Sequence, residues 1–390
     1  MDLPILVQLF VLFAAAKLAG ALFERFHQPA VIGELGVGMA LGAGALGVVD
    51  VVNTPFLREF AELCVVILLF RVGLETRLND IRAVGGTALA VAIAGVVLPF
   101  ALGYAFYLAL GQPSLTALFL GAALVATSVG VTARVLADLR LLGERESRII
   151  LGAAVIDDIL GLLVLSVVSG AGGGLQIGRI AVTVGLSLGF LAFFGLVGTK
   201  AIQVGGHLLE RPRLAHAPSA FAVAVCLGVA ALAQVIGLAA IVGAFLAGMV
   251  MAESPDHFEL EEKFEPIGEF LVPFFFVITG AAVDPTALNN TSLVAVTAAV
   301  VALAAVGKVV GCGLASRGLG WKSAAIVGVG MIPRGEVGII VANQGAKVGA
   351  IDPPTFAIII AMSILTTLMV PPILKRMFAD RIARRQPAGP

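Results

Sequence analysis

The chain has 390 residues, 59% of them hydrophobic and 13% charged, with 25 basic against 25 acidic side chains. This is the composition of a polytopic membrane protein, and it leaves no basic surface for nucleic acid. The three cysteines, Cys64, Cys226 and Cys312, lie in apolar stretches without a C-x-x-C pair, and the four histidines show no H-E-x-x-H pattern, so no disulfide framework, zinc site or other cofactor is expected.

Residues 3–23 follow Asp2 without a basic leader, which reads as a first spanning helix and not a cleaved signal. A hydrophobic window of about 20 residues gives thirteen expected spans: 3–23, 30–49, 57–74, 83–110, 115–136, 148–169, 177–205, 218–236, 238–252, 267–282, 293–315, 322–346 and 355–378. With the N-terminus outside, the inside connectors hold Arg25, Arg77, Arg82, Arg140, Arg145, Arg148, Arg211, Arg213, Lys263, Arg317 and Lys322. The tail adds Lys375, Arg376, Arg381, Arg384 and Arg385, whereas the outside connectors hold only Arg58, Arg179 and Lys347. This asymmetry obeys the positive-inside rule, predicts a cytoplasmic C-terminus and is scrambled by a twelve-span count. The tail after the last span is short, and no soluble regulatory domain is expected. Glycine-rich segments at 33–47 and 237–248 read as close helix contacts.

Two spans carry helix-breaking chemistry at mid-depth. In 115–136, Thr127, Ser128, Gly130 and Thr132 crowd the centre and weaken the helix. In 322–346, Pro333 and Gly335 flank Arg334, with Glu336 next; the proline removes a backbone hydrogen bond, and the charges are costly in lipid. The broken member is fourth in both five-span sets, 30–169 and 238–378. The sets enter the membrane from opposite sides, so they are expected to be inverted repeats, a layout that points to a transporter site at the breaks.

Between the breaks lies 147–169, an apolar span with adjacent aspartates, Asp157 and Asp158, near its middle. Each carboxylate costs about 2.5–3.5 kcal/mol at that depth, and such groups mark ion or proton paths. Neighbouring helix residues point about 100° apart, so the two can serve different partners. Lys308, mid-span in 293–315, is the expected counter-charge for one of them. The other is left to bind a proton or a small hard cation, which takes oxygen ligands: Asp158 with Thr127, Ser128 and carbonyls freed at the breaks. Arg334 and Glu336 are expected to compensate each other and the helix ends. Glu34, Glu62 and Glu269, near apolar ends, fit a structural or a cavity-lining role alike. The acidic run Glu253–Glu265 reads as a solvated cytoplasmic loop.

The segments QPAVIGE (28–34), LVATSVGVTARVL (124–136), ILGAAVIDDILGL (150–162), GKVVG (307–311) and GMIPRGEVGIIVA (330–342) together resemble the cation/proton antiporter superfamily, in its CPA2 branch and the NapA-type exchangers. The resemblance runs over nearly the whole chain. It implies an all-α fold of two inverted five-helix repeats with crossing broken helices, and a homodimer. The dimerisation domain would be about 3–74 and 218–282, the linker helix about 177–205 and the core about 83–169 and 293–378. It further implies that Asp158 binds the transported sodium or the proton, that Asp157 pairs with Lys308, that Thr127 and Ser128 lie at the first crossover and Glu336 at the second, and that exchange is electrogenic, with an elevator-like shift of the core. One departure is Arg71 in LLFRVGLE (68–75), expected to pair with Glu75 or Glu62.

The resulting expectation is a non-enzymatic sodium (or lithium)/proton antiporter in the lipid bilayer of a bacterial inner membrane. A potassium/proton antiporter of the same fold is the nearest rival. An intramembrane aspartyl protease would need its aspartates on different helices, and a serine type would need a membrane histidine. A passive cation channel would not need a titratable pair balanced by a buried lysine.

Overall fold

In an apolar layer a backbone can satisfy its own N–H and C=O groups within a helix, and helices build this chain. The structure, a computed structural model, describes residues 4–51, 53–171, 177–198, 217–253, 257–282, 291–379 and 381–382. The described α-helices are α1 (Ile5–Arg25), α2 (Ala30–Leu41), α3 (Pro55–Leu74), α4 (Leu78–Ala109), α5 (Ser114–Val125), α6 (Val129–Asp138), α7 (Arg145–Ala171) and α8 (Ile177–Phe193). They continue with α9 (Ala217–Val235), α10 (Ala240–Met251), α11 (His257–Ala281), α12 (Thr291–Ala315), α13 (Trp321–Gly330), α14 (Glu336–Lys347) and α15 (Pro353–Met377). The only β contact among the described residues is a bridge between Gly42 and Val49. Seven described helical stretches are long and apolar enough to cross a bilayer, against the thirteen spans expected.

Both expected breaks are present, α5 giving way to α6 and α13 to α14. The turn at Gly237 separates α9 from α10, with φ +91 that glycine adopts without strain. Two expectations are corrected. The span 30–49 is helical only to Leu41; Gly42–Val49 folds into a turn closed by bonds from Val48 and Val49 N–H to the Leu41 carbonyl. The glycines there lower the cost of leaving the helix. The last helix before 282 begins at His257, so most of the acidic run read as a solvated loop is helical and Pro266 sits inside the helix. Arg71 meets Glu75 at 3.6 Å and Glu265 at 3.8 Å, whereas Glu62 accepts a bond from Gln234 of α9. Of the expected linker over 177–205, only α8 and a π-helical turn at Phe194–Gly198 are described; the rest, with Arg211, Arg213, Arg384 and Arg385, lies outside the described residues.

In packing, α3 lies against α10 and α11, and α2 against α1 and α11. Helix α4 lies against α5, α7 and α12, and α12 against α13 and α15. The glycine-rich segments do what close contact requires. A Cβ on Gly248 of α10 would collide with the Phe70 carbonyl of α3, and one on Gly38 of α2 with the Val277 carbonyl of α11.

The ends predicted to be cytoplasmic are tied by charge. Arg381, just past α15, donates to Glu144 at 2.8 Å and to the two oxygens of Glu146 at 2.5 and 2.6 Å. Ser323 of α13 donates to Glu146 as well, at 2.5 Å. Arg148 of α7 meets Asp80 of α4 at 2.9 Å. A carboxylate in the first turn of α7 also suits the positive end of its dipole.

Substituting Gly248→Ala forces one helix backbone off another, a cost of about 1–3 kcal/mol. Its thermal midpoint in detergent is expected to fall clearly below wild type. Gly36→Ala on α2, where an added Cβ meets nothing within 4 Å, is expected to leave the midpoint near wild type; equal midpoints for the two variants would contradict the packing argument.

Candidate functional site

A helix break leaves N–H and C=O groups without intrahelical partners. Neither half-helix that begins at a break has a side-chain N-cap: Ser128 before α6 and Gly335 before α14 make none. The two breaks serve each other instead. The Ser128 N–H donates to the Pro333 carbonyl at 2.8 Å, the Thr132 hydroxyl to the Gly330 carbonyl at 2.7 Å and the Thr127 hydroxyl to the Met331 carbonyl at 3.4 Å. A Cβ on Gly335 would stand 2.6 Å from the Ser128 hydroxyl oxygen, so only glycine permits this approach. The structure thus brings Thr127, Ser128, Pro333, Arg334 and Gly335 to one crossing.

Arg334 is fully buried. Its guanidinium donates to the Met331 and Ile332 carbonyls at 3.1 and 2.7 Å, and to the Ala304 carbonyl of α12 at 3.2 Å. It therefore places positive charge on the carbonyl end of α13, where the helix dipole is negative. That is the expected compensation of a helix end. Glu336 opens α14, but its side chain lies outside the described residues, so the expected Arg334–Glu336 compensation is not described.

Lys308 Nζ sits 3.3 Å from both carboxylate oxygens of Asp157, with side chains 0% and 1% exposed. The ammonium is therefore shared by the two oxygens, and at this burial removing either charge would strand the other. Asp158, one residue along α7, is half-buried where Asp157 is buried. Helix α7, which carries both aspartates, packs against α5, α6 and α13, half-helices of the crossing. A small cavity of about 30 Å³ is lined by Leu35 of α2, Phe275 and Thr279 of α11, and by Ser128, Arg334 and Thr367.

Several residues here were not singled out from sequence. A Cβ on Gly95 of α4 would stand 2.8 Å from Cys312 Sγ and 3.2 Å from Lys308 Nζ, so Gly95 makes the room in which the lysine lies. Thr366 and Thr367 of α15 bond the Arg334 backbone. The signal for the threonines was a Ser-x-x-Thr-Thr spacing, Ser363, Thr366 and Thr367, on one face of an apolar helix. Of the glutamates read as structural or cavity-lining, Glu34 is buried beside Gly20 of α1, and Glu62 contacts α9.

A family profile described as "Sodium/hydrogen exchanger, transmembrane" matches residues 11–379. The chain is 36% identical to the high-affinity Na(+)/H(+) antiporter NhaS3 of Synechocystis sp., over 99% of this chain and 92% of that one. It is 35% identical to the Na(+)/H(+)-K(+) antiporter GerN of Bacillus cereus, over 98% of each. Among solved structures, the sodium proton antiporter MjNhaP1 from Methanocaldococcus jannaschii at pH 8 superposes with a TM-score of 0.69, at 17% identity, over 98% of this chain and 99% of that one.

The buried pair gives a stability test. Lys308→Met or Asp157→Asn alone leaves one buried charge unmatched, a cost of about 3–5 kcal/mol, and each is expected to lower the thermal midpoint. The double variant removes both charges and is expected to recover most of the loss. A double variant as unstable as the sum of the singles would show that the pair is not coupled.

Proposed function

Because the chain belongs to the sodium/hydrogen exchanger family, we propose that it is a secondary active antiporter of a bacterial inner membrane, moving sodium (or lithium) outward against inward protons. Asp158 is the carboxylate for which cation and proton compete. The observation that carries the reading is the buried Asp157–Lys308 pair next to Asp158, on a helix packed against two crossed helix breaks.

Coupling follows from competition. A bare carboxylate is costly to carry through an apolar layer, whereas a protonated or cation-bound one is neutral. If the core moves only with Asp158 neutralised, the empty site stays in place and the two ions must alternate. Thr127 and Ser128, with backbone carbonyls at the crossing, supply the further oxygen ligands a hard cation takes. Arg334, and Glu336 at the start of α14, balance charge at the crossing.

Exchanging one sodium for the proton of Asp158 alone moves no net charge. Net charge moves only if a second proton is released, and Lys308, held at Asp157, is the buried titratable group placed to supply it. This makes the exchange electrogenic. Under the same reading the thirteen spans form two inverted repeats, with the N-terminus outside and the C-terminus in the cytoplasm. Residues 3–74 and 218–282 form a homodimer scaffold past which the core, 83–169 and 293–378, slides as an elevator. Potassium/proton exchange is the second reading, favoured by one observation: the relative GerN carries potassium as well as sodium in its name.

Asp158→Asn is expected to abolish sodium-driven proton flux in proteoliposomes, and retention of coupled flux would sink the competition model. Currents on solid-supported membranes, driven by sodium or potassium jumps, test charge movement and ion choice together. Wild type is expected to give a sodium current that Lys308→Gln loses while keeping exchange. Coupled flux without current in wild type would make the exchange electroneutral, and a current from potassium alone would select the second reading.

A further inference from the structure

The crossing is held from a third side. On α15, Thr366 and Thr367 are buried, and both face Arg334. The Arg334 N–H donates to the Thr366 hydroxyl oxygen at 3.2 Å, and the Thr367 hydroxyl donates to the Arg334 carbonyl. Both main-chain polar groups of one residue, at a break whose following half-helix has no side-chain N-cap, are thus satisfied by consecutive side chains of another helix.

The hydroxyls are also tied to their own helix. The Thr366 hydroxyl lies 2.8 Å from the Met362 carbonyl and 3.0 Å from the Ser363 carbonyl, which share its one hydrogen, and its lone pairs are left for the Arg334 N–H. Thr367 lies 2.8 Å from the Ser363 carbonyl as well as against that of Arg334. A hydroxyl has one hydrogen, so these two carbonyls share a single donor. Valine at either position would keep the shape and lose the bond.

From Arg334 the effect reaches the ion pair. Its guanidinium holds the Ala304 carbonyl of α12, one helical turn before Lys308, which in turn holds Asp157. From this chain of contacts, and resting on the antiport reading, we infer that Thr366 and Thr367 are positioning residues of the exchange site. They clamp the second break, so that Arg334 and, through α12, the Asp157–Lys308 pair keep the geometry in which ion and proton compete.

The test compares wild type, Thr366→Val/Thr367→Val and Thr366→Ser/Thr367→Ser in proteoliposomes loaded with a pH-sensitive dye, across sodium concentration and pH. The valine pair is expected to raise the KM for sodium by about tenfold and to shift the pH profile, with a smaller change in maximal rate. The serine pair, which restores both hydroxyls, is expected to return both parameters toward wild type. A folded valine pair with wild-type KM and pH profile, or with only its maximal rate reduced, would overturn the inference. If the valine pair does not fold, Thr367→Val alone is held to the same outcomes. Hydrogen exchange of a peptide spanning 331–338 reads the clamp without transport: faster exchange in the valine variant is expected, and unchanged exchange would overturn it. Failure of wild type to exchange sodium for protons would instead remove the antiport reading, leaving the clamp to be judged by hydrogen exchange.

Discussion

A backbone that stops being helical inside an apolar layer exposes N–H and C=O groups to surroundings that cannot bond them. Two such interruptions, each costly alone, meet here and supply each other's partners. The Ser128 N–H takes the Pro333 carbonyl, and Thr132 takes that of Gly330. This mutual satisfaction fixes where the breaks lie relative to each other. Because each break is an abutment of two half-helices, it also sets partial charges of both signs at one point in the layer. Ionisable groups near that point have something to work against.

The charges follow from that arrangement. Arg334 answers the carbonyl end of α13 and is anchored on α12 by Ala304. Lys308, one turn further along α12, answers Asp157, in space left by the missing side chain of Gly95. Asp157 is thereby paired with Lys308, and Asp158 lies on the more accessible face of α7. The 100° step of the helix is what gives two adjacent acids such different surroundings.

Much of this was legible in the sequence, because charges and helix breakers are conspicuous against an apolar background. Asp157, Asp158, Lys308 and Arg334 stand out in spans that have no other reason to hold them, and Pro333 and Gly335 mark their break. The supporting contacts were not legible, for physical reasons. Thr366 and Thr367 bond back to carbonyls of their own helix, as buried hydroxyls commonly do, so nothing in their spacing shows that they also reach Arg334. Gly95 is one of 47 glycines, and its task depends on which helix lies across from it. Helix ends misled for a related reason. Hydropathy continues past Leu41 although the backbone turns away there, and it falls before Pro266 although the helix has begun at His257.

The bonds around the crossing also bear on how it can move. The described bonds that hold Arg334 run to its own break, to Ala304 on α12 and to Thr366 and Thr367 on α15. Across the cavity, α2 and α11 present Leu35, Phe275, Phe276 and Gly280, together with Thr279, whose hydroxyl donates to the Phe275 carbonyl of its own helix at 2.6 Å. The wall thus meets the crossing mainly through apolar contact, whereas the ties to α12 and α15 are hydrogen bonds. Dispersion and burial are non-directional, so sliding costs little as long as area is kept. Hydrogen bonds are directional, and those described around Arg334 run within its own break and to α12 and α15.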